Sequence, residues 1–286
     1  MQAPSSLTRP VDHPATRTHR LRPLVESTLF VAVWIAVGMV LPADPNLYLL
    51  AGIPLTIAFQ LVVRRRPLRA LWVREAPPFQ LDRRGKAIAG LLMVAPLGFA
   101  VQAVTAGQWA GAAWMLAAAS GAVAAAWALR QRGQTREVLH WLATTTVTGA
   151  IMIAVTIVPA LIVSSKPLDP GAMVLAGLQA VLLYFPVCFV IEEVAFRGAI
   201  DDHVHRADGA RGVMSALFVS ALWGLWHLPI APDGLPIALI VAQLLRVHCV
   251  VGVPLSLARR RTGSLVVPAG AHALIDGIRN GLAAGL

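Results

Sequence analysis

The stretch GAMVLAGLQAVLLYFPVCFVIEEVAFRG (Gly171–Gly198) runs apolar from Gly171 to Ile191 and then sets down Glu192, Glu193 and Arg197 within six positions. An apolar run of about 20 residues is what a helix needs to cross a hydrocarbon core of about 30 Å. Ionisable groups at its end then require an explanation, because each costs about 2.5–3.5 kcal/mol at mid-bilayer unless it is paired, hydrated or near the headgroups. The rest of the chain repeats the pattern. Of its 286 residues 57% are hydrophobic and only 13% charged, with a mean hydropathy of +0.69, against about 25% charged in a soluble domain. These values specify an integral membrane protein.

Further apolar segments read at 24–41, 47–63, 87–106, 109–129, 141–163, 171–196, 212–230, 235–257 and 264–285. Nine crossings are expected, with eight as the alternative. The turn-separated alternation of a membrane barrel is absent, so the fold class is all-α: a polytopic transmembrane helical bundle of eight to nine spanning helices. Residues 1–23 carry Pro, Arg, His and Thr without an apolar run, which predicts a disordered cytoplasmic tail and not a signal peptide.

The net charge of +10 could suggest nucleic acid, but the arginines fall in short loops between apolar segments. Arg64, Arg65, Arg66, Arg69, Arg74, Arg83, Arg84 and Lys86 follow the second segment, Arg130, Arg132 and Arg136 the fourth, Arg197, Arg206 and Arg211 the sixth, and Arg259, Arg260 and Arg261 the eighth. The opposite loops hold a single Lys166. Basic loops stay in the cytoplasm, which places the N-terminus inside, as in a bacterial cytoplasmic membrane, and makes an anionic inner leaflet the counter-charge; no nucleic-acid partner is expected. The segment 65–86 reads either as interfacial, with Trp72 and Phe79 toward lipid, or as a solvated basic loop. Cys188 and Cys249 both lie in apolar segments and form no disulfide framework.

Three late segments each carry polar groups into apolar surroundings. Glu193 and Arg197, four apart, can pair on one helix face, whereas Glu192 is turned about 100° away and needs a partner from another helix. In LWGLWHLP, Trp223 and His227 share a face; in GAHALIDG, His272 and Asp276 do. A glutamate and a histidine around water can generate a nucleophile by general-base catalysis, and a second histidine can stabilise an oxyanion. His248 with Cys249 lacks an acidic neighbour and reads as packing, and DDHVHRAD (Asp201–Asp208) reads as a solvated loop in preference to a metal site.

Glu192-Glu193-Val-Ala-Phe-Arg197, Trp223-Gly-Leu-Trp-His227 and His272-Ala-Leu-Ile-Asp276, in this order, resemble the CAAX prenyl endopeptidase and bacteriocin-processing (CPBP, Abi-type) family of intramembrane proteases, with its EExxxR, aromatic-xxx-His and HxxxN motifs. The resemblance covers 165–286. It implies a CPBP-like catalytic membrane domain at 164–286, with the catalytic core in the C-terminal four helices, and leaves 24–163 as transmembrane helices of unknown role. Residue by residue it implies Glu192 and His227 as the pair that activates water, His272 with Asp276 at the oxyanion, and Glu193, Arg197 and Trp223 as supporting groups. Trp223 stands where the family usually has Phe, and Asp276 where it has Asn; an ionised Asp accepts hydrogen bonds and cannot donate them. Two histidines and two carboxylates (Glu192, His227, His272, Asp276) would also suit Zn²⁺, although the soluble zinc-protease motif HExxH is missing. The expected partner is a membrane-anchored peptide or protein substrate. The competing functions are a non-catalytic membrane scaffold or bacteriocin-immunity factor of the same fold, and a proton-coupled transporter, which would also use buried Glu, His and Asp.

Overall fold

The structure is a computed structural model and describes residues 17–40, 44–75, 77–131, 135–164, 167–205, 212–232 and 234–286, with side chains from residue 21. Tail residues 1–16, and the predicted loop charges Arg132, Lys166, Arg206 and Arg211, lie outside the described residues.

The described residues form ten α-helices: α1 (Arg17–Val40), α2 (Pro45–Ala58), α3 (Arg83–Thr105), α4 (Trp109–Arg130), α5 (Thr135–Val163), α6 (Pro170–Val187), α7 (Asp202–Val204), α8 (Gly212–Trp226), α9 (Ile237–Thr262) and α10 (Val266–Ala283). Among the described residues eight spans are long and apolar enough to cross a membrane. The ninth expected crossing forms α10, which is not among them: His272, Asp276, Arg279 and Asn280 make it more polar, and it packs against α5 and α6. α1 begins at Arg17, so residues 17–23, read as tail, form its first turns.

One prediction of a continuous element fails where it matters most. The segment 171–196 is not a single helix. Pro186 in the last turn of α6 cannot donate to the carbonyl one turn back. α6 ends at Val187, and tight turns follow, with Phe189 N–H donating to Pro186 O (3.1 Å) and Val190 N–H to Val187 O (2.9 Å). The chain resumes at Glu192 and becomes a π-helix over Val194–Asp201, every residue of which is buried. A run with one extra residue per turn is costly and marks sites where side chains must be re-aimed.

The segment after α2 also departs from expectation. Trp72 does not face lipid: its indole N–H donates to Phe189 O (2.8 Å) and its ring lies edge-on to Trp127 (centroids 6.2 Å). Phe79, half exposed, packs on the same Trp127. Residues 72–74 run beside 263–265: Leu265 N–H donates to Trp72 O and Arg74 N–H to Gly263 O, both 2.8 Å. Gly263 can close α9 there because it takes the left-handed conformation, φ 64°. The 64–75 strap is thus stitched to the α9–α10 turn, directly below the π-helix.

Candidate active site

The break after α6 fixes the depth of the two glutamates. Glu193 is fully buried and its Oε1 accepts from Arg197 Nη1 (2.9 Å), the expected i, i+4 pair. The same oxygen lies 2.9 Å from His272 Nδ1, so Glu193 joins the π-helix to α10. Arg197 stacks over Trp223 at 4.1 Å from the ring centroid, a cation–π contact in a desolvated setting. Gly252 permits this approach, since a Cβ there would meet Arg197 Nη2 at 2.8 Å and Ser220 Oγ at 2.6 Å.

The other-helix partner that Glu192 needs is Trp223. Its indole N–H donates to Glu192 Oε2 at 3.0 Å. That oxygen also stands 4.0 Å from His227 Nε2 and 4.0 Å from His272 Nε2. Gaps of this size are too long for direct hydrogen bonds and suit a bridging water.

His227 follows α8, which Pro229 stops. Its Nδ1 is 2.9 Å from Trp223 O. A carbonyl only accepts, so Nδ1 carries the proton and, in the neutral ring, Nε2 keeps a lone pair toward Glu192. His272 is held differently, with Glu193 Oε1 at Nδ1 and Asp276 Oδ2 3.3 Å from Nε2. Acceptors at both nitrogens are satisfied together only when both carry protons. Asp276 also receives Arg279 Nη1 at 3.2 Å. The structure therefore brings Glu192, Glu193, Arg197, Trp223, His227, His272 and Asp276 into one constellation.

Five of these groups, Glu192, Trp223, His227, His272 and Asp276, line a cavity of about 390 Å³ with otherwise mainly apolar walls, and Glu193 and Arg197 are fully buried behind it. Three further residues on its wall were not singled out from sequence as site residues: Tyr184, His248 and Arg279. His248, read as packing, presents its ring 4.1 Å from that of His227 and 4.6 Å from Trp223. Its only signal was a histidine in an apolar helix; Arg279, three residues past Asp276, could have been found by helical spacing.

Residues 174–278 match the type II CAAX prenyl endopeptidase Rce1-like family. The match supports the CPBP-type assignment and a CAAX-type protease fold, and it spans the three motifs. No curated protein and no solved structure matches the chain.

Among the described residues no group of three or more His, Cys, Asp or Glu is placed to hold a metal ion, whereas a catalytic zinc takes three protein ligands. As placed, the residues present do not fit a zinc site.

Below the cavity, the predicted solvated loop DDHVHRAD is instead an ion-pair layer as far as it is described. Asp201, fully buried, takes Arg260 Nε and Nη2 (3.0 and 2.7 Å); Asp202 takes Arg74 (2.7 Å) and Arg259 (3.0 Å). Burial pushes the Asp202 carboxyl up, but Arg259, Arg74 and Arg64 outweigh it and hold the group below the usual carboxylate range. Arg259, fully buried, also donates to Trp72 O and Ala70 O. Asp208 lies outside the described residues.

Proposed function

We propose that this protein is an intramembrane endopeptidase that hydrolyses a peptide bond of a membrane-associated protein or peptide in the cytoplasmic half of the bilayer. The carrying observation is Glu192 Oε2 lying 4.0 Å from the Nε2 atoms of both His227 and His272 inside one cavity. A water in that gap is oriented by Glu192 and by the unprotonated Nε2 of His227, and loses a proton to this pair as its oxygen adds to the scissile carbonyl carbon. The oxygen of the tetrahedral adduct shares the Nε2–H of His272 with Asp276 Oδ2, and the positive charge of the ring is sustained by Glu193 and Asp276. Collapse breaks the C–N bond, and the departing amine takes back the proton held by Glu192 and His227. Every step uses groups already in place, which keeps reorganisation small.

Asp276 does not act as the oxyanion donor that an Asn would be. It accepts from His272 and is balanced by Arg279. This pairing supports the catalytic reading over a non-catalytic scaffold or immunity factor.

The test compares new protein N-termini in native membranes of cells carrying the wild type or Glu192→Gln at equal abundance. Peptide ends present only with the wild type are expected and would name the substrate. Identical sets of ends, with both proteins folded and the natural partner expressed, would overturn the protease reading and favour the scaffold.

A further inference from the structure

A second, larger cavity of about 610 Å³ opens between the 64–75 strap and the turn after the π-helix, lined by Arg64, Arg66, Arg69, Arg74, Glu75, Asp202 and His203 among others. Four guanidinium groups face two carboxylates there. One of these, Asp202, is already occupied, because Arg74 and Arg259 both donate to it and Arg64 stands 4.0 Å away. His203 is taken by Glu26 of α1 (2.8 Å). Arg66 is exposed and has no carboxylate partner among the described residues. Among the described residues the wall thus carries four arginines against two carboxylates, one of them already taken, and the planar fork of arginine matches phosphate oxygens in pairs.

The strap is held in a costly shape around this cavity. Arg65 (φ 53°) and Glu75 (φ 54°) are the only non-glycine residues with positive φ among the described residues, and they lie near the two ends of the strap. A left-handed conformation is unfavourable for residues that carry a Cβ. Hydrogen bonds from Arg66 N–H to Gln60 O (3.1 Å) and from Arg74 N–H to Gly263 O (2.8 Å) maintain it. Strain retained by surrounding contacts marks a segment shaped for something other than its own stability. The location narrows the ligand further. Val63, on the cavity wall, is also the last residue of the span Pro45–Val63, so the cavity opens where a spanning segment ends at a membrane surface. By the distribution of loop arginines that surface is the cytoplasmic one, where lipid phosphates lie.

We infer that this cavity is a binding site for a phosphate-bearing anion, supplied either by an anionic lipid headgroup or by a soluble phosphate compound. The site is distinct from the Glu192 cavity and requires nothing of its chemistry.

The experiment is calorimetric titration of the full chain in neutral detergent with three probes: dihexanoyl phosphatidic acid, inorganic pyrophosphate, and dihexanoyl phosphatidylcholine as the blank for acyl chains. Saturable binding of phosphatidic acid is expected, weakened at least about tenfold by Arg66→Ala with Arg69→Ala and by raised salt. Pyrophosphate binding as tightly as the lipid, with the same loss in the variant, would assign the site to a soluble phosphate; binding of phosphatidic acid alone would assign it to a headgroup. Should the double variant fail to unfold cooperatively like the wild type, Arg66→Ala alone, at an exposed position without an ion-pair partner, carries the comparison. No heat above the phosphatidylcholine blank for either anion, or variants that bind as tightly as the wild type, would overturn the inference.

Discussion

Two adjacent acid pairs, Glu192-Glu193 and Asp201-Asp202, bracket the same π-helix and have opposite surroundings. Asp201 and Asp202 meet only arginine among their charged hydrogen-bond partners, at 2.7–3.0 Å, with Arg260 gripping Asp201 through two nitrogens. Their lone pairs are committed and their charge is matched. Glu193 is committed through Oε1 alone, to Arg197 and His272, with Oε2 buried and lacking a hydrogen-bond partner among the described residues. Glu192 alone is left with one indole donor, two histidines a water's width away and a cavity in front of it. The difference lies in the partners. Permanent cations at contact distance lock a carboxylate, whereas titratable rings at 4.0 Å leave room for a reactant.

This contrast predicts two kinds of damage. Glu192→Gln should lower peptide cleavage by about 10²–10⁴-fold, the usual worth of a positioned acid–base group, while the protein accumulates and unfolds normally; the check is single-turnover cleavage of the substrate identified from native membranes. A wild-type rate in this variant would erase the distinction between the two pairs. Arg260→Ala should act through stability. Removing one partner of a buried pair strands the other, costing about 3–5 kcal/mol, read as a lowered unfolding midpoint in detergent. A fully stable Arg260→Ala protein would show that the aspartate layer is not the lock described here.

Gly198 lies between the pairs and tests whether they are mechanically joined. A Cβ at this position would come 2.5 Å from Leu71 O, a backbone atom of the strap that cannot swing aside, and Arg64 donates to Gly198 O at 2.8 Å. Gly198→Ala should therefore push strap and π-helix apart, with a stability loss of about 1–3 kcal/mol and a reduced cleavage rate even though it touches neither acid pair. Loss of stability with an unchanged rate in the folded fraction would show that the upper pair does not depend on the lower.

Local spacing made part of this legible in advance. The i, i+4 relations Glu193–Arg197, Trp223–His227 and His272–Asp276 survive because each lies within a helix or a closely helical turn, where side-chain adjacency follows from rise and rotation. Apolar run length likewise gave the spans, since it must match the bilayer. What escaped depends on contacts distant in sequence. The break after Val187 follows from Pro186 but reads as one apolar run, because hydropathy ignores a missing N–H. Trp72 reads from sequence as facing either lipid or solvent, because an aromatic in a basic loop shows only that character; its actual partners, Phe189 and Trp127, lie more than fifty positions away. Asp201 and Asp202 look solvated until Arg259 and Arg260 arrive from α9. Polar residues with one intrahelical partner can be placed from sequence, and those that close a tertiary network cannot.

Asp276 gives the finest comparison. Although it is a carboxylate beside the reacting groups, its position resembles that of the lower pair: it accepts from His272 and is balanced by Arg279, a partly exposed cation. Asp276→Asn keeps an oxygen to accept from His272 Nε2–H and gives up the Arg279 pair, which at that exposure is worth about 0–1 kcal/mol, so the cleavage rate should change by less than about tenfold. A fall as large as that of Glu192→Gln would move Asp276 into the proton-transfer chemistry and redraw the site as two catalytic carboxylates. Stripping divalent metal should change the rate less still, within about twofold, because Glu192, His227 and His272 are positioned by Trp223, Glu193 and Asp276 and do not depend on an ion for their orientation. A rate that collapses with chelator and returns with zinc would mean that the 4.0 Å gaps around Glu192 close on a metal and not on water.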